Sequence, residues 1–187
     1  MNVSSDPERY FIACVPPPPI FDHVSDLKEY FKSQYQSKAS LNSPPHITLH
    51  MPFEWKAKST EKLISSLDTF FKNETPVQVH LKNFESFPPR VIFVNVGDAP
   101  GLSAMQKRLT QHCKRDLNLF NADYQDRPFH AHMTIAFRDL KKSAFESAWK
   151  EFNSKTFDGE FYTRQISLLK HSGSKWEIFR DFDVLGC

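Results

Sequence analysis

Three cysteines in 187 residues, at positions 14, 113 and 187, are too scattered for the paired spacing of a metal site. Nothing in their placement suggests an oxidising compartment, and Cys14, inside an apolar run, reads as a buried free thiol. Excess charge is also missing. A formal net charge of +2 excludes a strongly cationic surface, although it permits a local basic groove. No apolar stretch approaches the length of a membrane span, and the opening "MNVSSDPERY" lacks a signal-like apolar segment. The expectation is a cytoplasmic monomer with no membrane partner. There is no clear carboxylate cluster to hold a metal, and no cofactor is expected.

What is present is an ordinary globular composition, 40% hydrophobic and 25% charged, with 18 phenylalanines to build a bulky core. The length suits one sizeable core or two small lobes packed together. "YFIACV" (10–15) reads as a strand, ended by "PPPP" (16–19), a stiff connection more readily than a polyproline ligand. Val24, Leu27, Phe31 and Tyr35 recur at helical spacing. The strand "HITLHM" follows. A second helix spans 60–71 through Leu63, Ile64, Leu67, Phe70 and Phe71, with Ser59 as its cap, and "VQVHL" (77–81) reads as a strand.

After "FPPR" (87–90) the order begins again. "VIFVNV" (91–96) is a strand, 102 to about 119 a helix, "FHAHMTIAF" (129–137) a strand and 143–152 a helix. "TRQISLLK" and "WEIFRDFDV" then form a hairpin about Gly173. Matching positions lie 81 to 86 residues apart: Phe11 with Ile92, Leu63 with Phe145, and His46 with His132. This predicts one internally duplicated domain over 1–187. Lobe 1 covers roughly 10–86 and lobe 2 roughly 90–187, joined by a short linker around 84–90.

The duplication gives meaning to "SPPHITLHM" (43–51). Side chains alternate along a strand, so His46, Thr48 and His50 share one face while Ile47, Leu49 and Met51 share the other. The corresponding strand reads "AHMTIAF", with His132 and Thr134 opposite Met133, Ile135 and Phe137. One His-x-Thr means little in a chain with eight histidines; two on matched strands mean more. Paired imidazoles suit opening of a cyclic phosphodiester. One is neutral and takes a proton from water, and the other is protonated and serves the departing oxygen. Thr48 and Thr134 would donate hydrogen bonds to the non-bridging oxygens, where negative charge accumulates.

"HITL" at 46–49 and "HMTI" at 132–135 resemble the paired motifs of the 2H phosphoesterase superfamily, and most of all its bacterial 2'-5' RNA ligase-like branch, the RNA 2',3'-cyclic phosphodiesterases. The resemblance implies an α+β fold: a duplicated, bilobal domain of two antiparallel-rich sheets with outer helices around a central groove, related by a pseudo-twofold. It implies hydrolysis of a 2',3'-cyclic phosphate on RNA ends or small cyclic nucleotides to a 2'-phosphate, and possible reversal to a 2'-5' linkage. It makes His46 the acid toward the 3'-oxygen and His132 the base, a pairing that pseudo-symmetry lets exchange. Two departures concern substrate choice. Ala131 stands where the family usually has proline, and Phe137 fills the nearest place for a basic residue, with Arg138 one later.

Other readings of the same residues compete. His130 and His132 form a His-x-His pair that, with His46 or His50, could ligate zinc in a hydrolase. A nucleotide-binding module without turnover would keep the groove alone. Phe53, Trp55, Tyr124 and Phe129 are candidates to stack on a base, and Arg90, Arg127 and Arg138 to meet flanking phosphates. His130 would lie at the groove mouth, His50 would orient His46 or face solvent, and His171 would lie in the final turn.

Overall fold

The computed structural model describes residues 6–120 and 128–186. Its strands are β1 (Pro7–Cys14), β2 (Ile47–Lys56), β3 (Gln78–Phe87), β4 (Val91–Val96), β5 (His132–Ala136), β6 (Asp158–Tyr162), β7 (Gln165–His171) and β8 (Trp176–Asp183). They form an antiparallel sheet in the order β6-β3-β4-β5-β2-β1-β7-β8. The α+β expectation holds. The two sheets meet as one, through a single registered pair, Ile47 with Met133, between β2 and β5.

The helices are α1 (Ile20–Tyr35), α2 (Thr60–Lys72), α3 (Pro100–Leu117) and α4 (Lys142–Phe152). Each carries an apolar stripe to one face of the sheet, such as Leu63, Leu67 and Phe71 on α2. Proline in the first turn of α3 supports its start, where the amide would be unpaired anyway. Gln36 and Asn118 close α1 and α3 in the left-handed region, at φ 57 for each. Ser59 precedes α2, but its side chain makes no capping bond. A Ser66–His112–Asp116 chain ties α2 to α3, at 2.9 Å for Ser66 Oγ to His112 Nε2 and 2.8 Å for His112 Nδ1 to Asp116. The helical amides around Ser66 are engaged in the helix ladder and are not free as oxyanion donors, so this group acts as a helix tie.

Alternation along β1 separates two environments. Tyr10, Ile12 and Cys14 join the helix-covered core, whereas Phe11 and Ala13 join Leu169 and Trp176 on the opposite, open face. Several elements differ from the sequence reading. β3 runs on to Phe87, so the expected linker is a hairpin turn into β4. β5 is shorter than "FHAHMTIAF", and β6 has no counterpart in the reading. The expected lobes also exchange strands. β3, from the first, pairs with β4 and β6, while β7, from the second, pairs with β1. Among the described residues, no helix is long and apolar enough to cross a membrane.

Candidate active site

The central pair Ile47–Met133 points its side chains into the core. Its neighbours in sequence therefore point to the open face. Continuing that antiparallel register sets Thr48 toward His132 and Thr134 toward His46, so the four motif side chains gather where the two halves meet. All four are half-buried. Among the described residues, neither threonine hydroxyl is engaged by another protein group.

The two histidines are held alike. His46 Nδ1 lies 2.7 Å from the carbonyl of Pro44, and His132 Nδ1 lies 2.7 Å from the carbonyl of His130. A carbonyl only accepts, so Nδ1 donates in both rings and Nε2 is left to exchange a proton. Each ring also leans on a phenylalanine of the adjacent strand. Phe11 on β1 is 4.9 Å from His46, and Phe93 on β4 is 5.0 Å from His132, between ring centroids. Phe87 approaches His132 edge-on. Burial is the main cause that lowers both imidazole pKa values, that of His46 to about 4. Charge on Lys28 lowers His46 further, as does charge on His132, so the two imidazoles share one electrostatic space.

A model of the 2'-5' RNA ligase superfamily matches residues 16–175. The chain belongs to the 2'-5' RNA ligase superfamily. Relatives that carry the provisional name phosphoesterase include one from Geobacillus kaustophilus, 25% identical over 181 residues, which are 95% of this chain and 97% of that protein. Another, from Bacillus pumilus, is 31% identical over 88 residues, a match that spans 46% of this chain and about half (51%) of that protein. In three dimensions the chain is similar to TT0787 of Thermus thermophilus, with a TM-score of 0.68 at 16% identity over 95% of this chain and 98% of that one. It is also similar to LigT of E. coli complexed with 3'-AMP, with a TM-score of 0.65 at 16% identity over 96% and 99% of the two chains. These two likenesses are of fold.

Within this superfamily member, the residues singled out by sequence divide sharply. His46, Thr48, His132 and Thr134 come together, and His130 joins them, exposed, with its ring 6.1 Å from that of His132. Phe53 does not: it is 4% exposed and packs on Tyr10 and His50 in the core. Trp55 and Phe129 pack against the same core, and Trp55 Nε1 donates to the Ser59 carbonyl. His50 is fully buried instead of facing the site. Arg90 is exposed in the β3–β4 turn. Arg138 lies beyond the end of β5 at φ 56, with its guanidinium over Phe137, so strand parity does not carry it to His132. Tyr124 and Arg127 lie outside the described residues. His171 ends β7, edge-on to Trp176.

Several neighbours of the site escaped the sequence reading. Phe11, Phe87 and Phe93 wall the two imidazoles, and Arg9 lies over Trp176 at 5.4 Å, beyond Phe11. The signal for Arg9 was available, since Arg9, Phe11 and Ala13 occupy alternate positions on β1. Asp139, just after β5, accepts from Ser37 Oγ and from the amides of Lys38 and Ala39. It thereby ties the exit of one motif strand to the segment that leads into the other. No metal-sized group of three His, Cys, Asp or Glu residues occurs among the described residues.

Proposed function

We propose that this chain is a metal-independent 2',3'-cyclic phosphodiesterase acting on RNA ends or small cyclic nucleotides. The observation that carries the reading is the matched pair of imidazoles, each fixed through Nδ1 to a carbonyl two residues upstream, which leaves Nε2 of each ring to exchange a proton. In the reaction, water attacks phosphorus in line with the bond to the 3'-oxygen. One imidazole takes the water proton as the P–O bond forms, and the other gives a proton to the 3'-oxygen as its bond to phosphorus breaks. The product is a 2'-phosphate. Thr48 and Thr134 hydrogen-bond the non-bridging oxygens as charge grows on them. The same in-line displacement with a 5'-hydroxyl in place of water forms a P–O5' bond as the P–O3' bond breaks and joins two ends through a 2'-5' linkage.

An open face favours a polymer end over a fully enclosed small molecule. Of two surface cavities, of about 570 and 650 Å³, the first takes in Arg9 and Phe53 together with Phe120 and the second Asp181, and neither touches a motif histidine. The test is turnover of an oligonucleotide ending in a 2',3'-cyclic phosphate, with excess chelator and the product identified by phosphorus NMR. A 2'-phosphate formed at an undiminished rate is expected. Loss of activity with chelator would return the zinc reading on His130 and His132, and tight binding without turnover would return the binding module.

A further inference from the structure

The open face that holds the motif side chains continues outward over β1, β7 and β8. β1 turns Arg9, Phe11 and Ala13 to it, and the β7–β8 hairpin adds Leu169, His171 and Trp176. Phe11, Ala13 and Leu169 are buried, and the half-buried indole of Trp176 packs against them. Rings lead stepwise away from the site. Phe11 is 4.9 Å from His46, Trp176 is 4.8 Å from Phe11, and His171 is 4.8 Å from Trp176, between centroids.

Two polar groups attend the indole. The guanidinium of Arg9 lies 5.4 Å from its centre. The β1–β2 ladder pairs Arg9 with Glu54, yet the side chain turns to Trp176 instead, and among the described residues no carboxylate forms an ion pair with it. His171 Nδ1 accepts from the Gly173 amide at 3.2 Å, so the ring proton sits on Nε2, which is a donor. Continuing the β1–β7 register, which pairs Tyr10 with Lys170, sets His171 opposite Arg9. A cation and a donor therefore stand side by side next to an aromatic face. A stacking surface and donors for the backbone are what a single strand of RNA requires, whatever its sequence. The opposite flank lacks the combination: Phe87 is its exposed ring, and among the described residues no cation lies over it.

We propose that Trp176, Arg9 and His171 form a subsite for single-stranded RNA that holds the nucleotide on the 5' side of the one bearing the cyclic phosphate. Its base stacks on the indole in place of the guanidinium. Arg9, released by rotation of its own side chain, and His171 Nε2 then meet the phosphodiester that joins this nucleotide to the cyclic end. The inference rests on the cyclic phosphodiesterase reading and deepens it, because it gives a strand end an advantage over a free cyclic nucleotide. Every base has a face to stack, so the preference is for length and not for sequence.

Two measurements test it. In the first, kcat/KM is compared between a nucleoside 2',3'-cyclic phosphate and a trinucleotide ending in the same group. The wild-type chain should prefer the trinucleotide, chiefly through KM. W176L covers Phe11 without an aromatic face and should lower that preference about tenfold, whereas W176F should retain most of it. R9Q should lower it too and flatten its dependence on salt. Arg9 is exposed, so R9Q decides the matter if W176L fails to fold. No preference in the wild type, or an undiminished preference in folded W176L or R9Q, overturns the subsite. The second measurement needs no turnover: tryptophan fluorescence is titrated with a trinucleotide ending in a 2'-phosphate. Quenching in the wild type that disappears in W176F is expected. No quenching, or the same quenching in both, overturns the stacking. A wild-type chain that opens no cyclic phosphate would remove the activity reading, and the titration would still decide whether the indole takes a base.

Discussion

His46 and His132 meet the demands of proton transfer through one shared device, a backbone carbonyl that fixes the tautomer. Removing either ring should cost about 10²- to 10⁴-fold in turnover, and Thr48→Ala or Thr134→Ala about a hundredfold, measured as initial rates on a cyclic phosphate. The same burial that prepares His46 for this work affects stability. Its folded pKa, about 4, is below the ordinary 6.5, so between those values the unfolded chain binds more protons. Stability present above pH 6.5 is lost as pH falls through that window, by at most roughly 3 kcal/mol for this ring. Urea titrations at pH 7 and pH 4.5 should show the drop, and His46→Asn should lessen it. The motif residues were legible because His-x-Thr occurs twice at matched places. Lys28 was legible only in principle, as a charge in the stripe of Ile20, Val24 and Phe31. The carbonyl partners were not legible, since nothing in the residue types at 44 and 130 announces them.

Strand β2 shows why a correct element can still mislead about a side chain. Its register against β1 runs from Thr48 opposite Ala13, to His50 opposite Ile12, to Phe53 opposite Tyr10. Each step admits one extra residue on β2, and each such bulge reverses the facing of everything beyond it. The first bulge therefore turns His50 into the core, although strict alternation from His46 sends it to the open face. The second restores the alternation, so Phe53 faces the core as its parity with Ile47 and Leu49 already required. A bulge leaves no mark in the residue pattern, so this error was built into reading by parity. Two substitutions separate the alternatives. Phe53→Ala should destabilise the fold by about 3 to 5 kcal/mol in chemical denaturation, the cost of emptying a large core site. At temperatures where that variant stays folded, its KM should stay within a few fold of the wild type, because the ring does not meet substrate. His50→Leu should likewise leave turnover nearly unchanged. A large rise in KM for either would place that side chain at the site after all.

The arrangement of the whole sheet constrains how the two halves depend on each other. Sequence periodicity divides the chain near the "FPPR" segment, and the elements on each side were largely legible. Their partners were not, because periodicity reports which face of a strand is apolar and says nothing about its neighbours. In the sheet, β2, β1, β7 and β8 stand on one flank, and β5, β4, β3 and β6 on the other. Each flank therefore draws strands from both sides of the division. A fragment covering 1–89 would hold β3 without β4 and β6, leaving both edges of that strand unpaired, and β1 without β7. A fragment covering 90–187 would hold β7 without β1. Unpaired strand edges with apolar faces cannot bury enough surface to offset chain entropy, and they invite aggregation. Expressed alone, neither fragment should give the dispersed amide spectrum of a folded protein. Expressed together, they should assemble and recover activity, because the ladders that cross the division hold them in register. Independent folding of either fragment would show that the exchanged strands add little, and would weaken the case that His46 and His132 owe their meeting to this interleaved sheet.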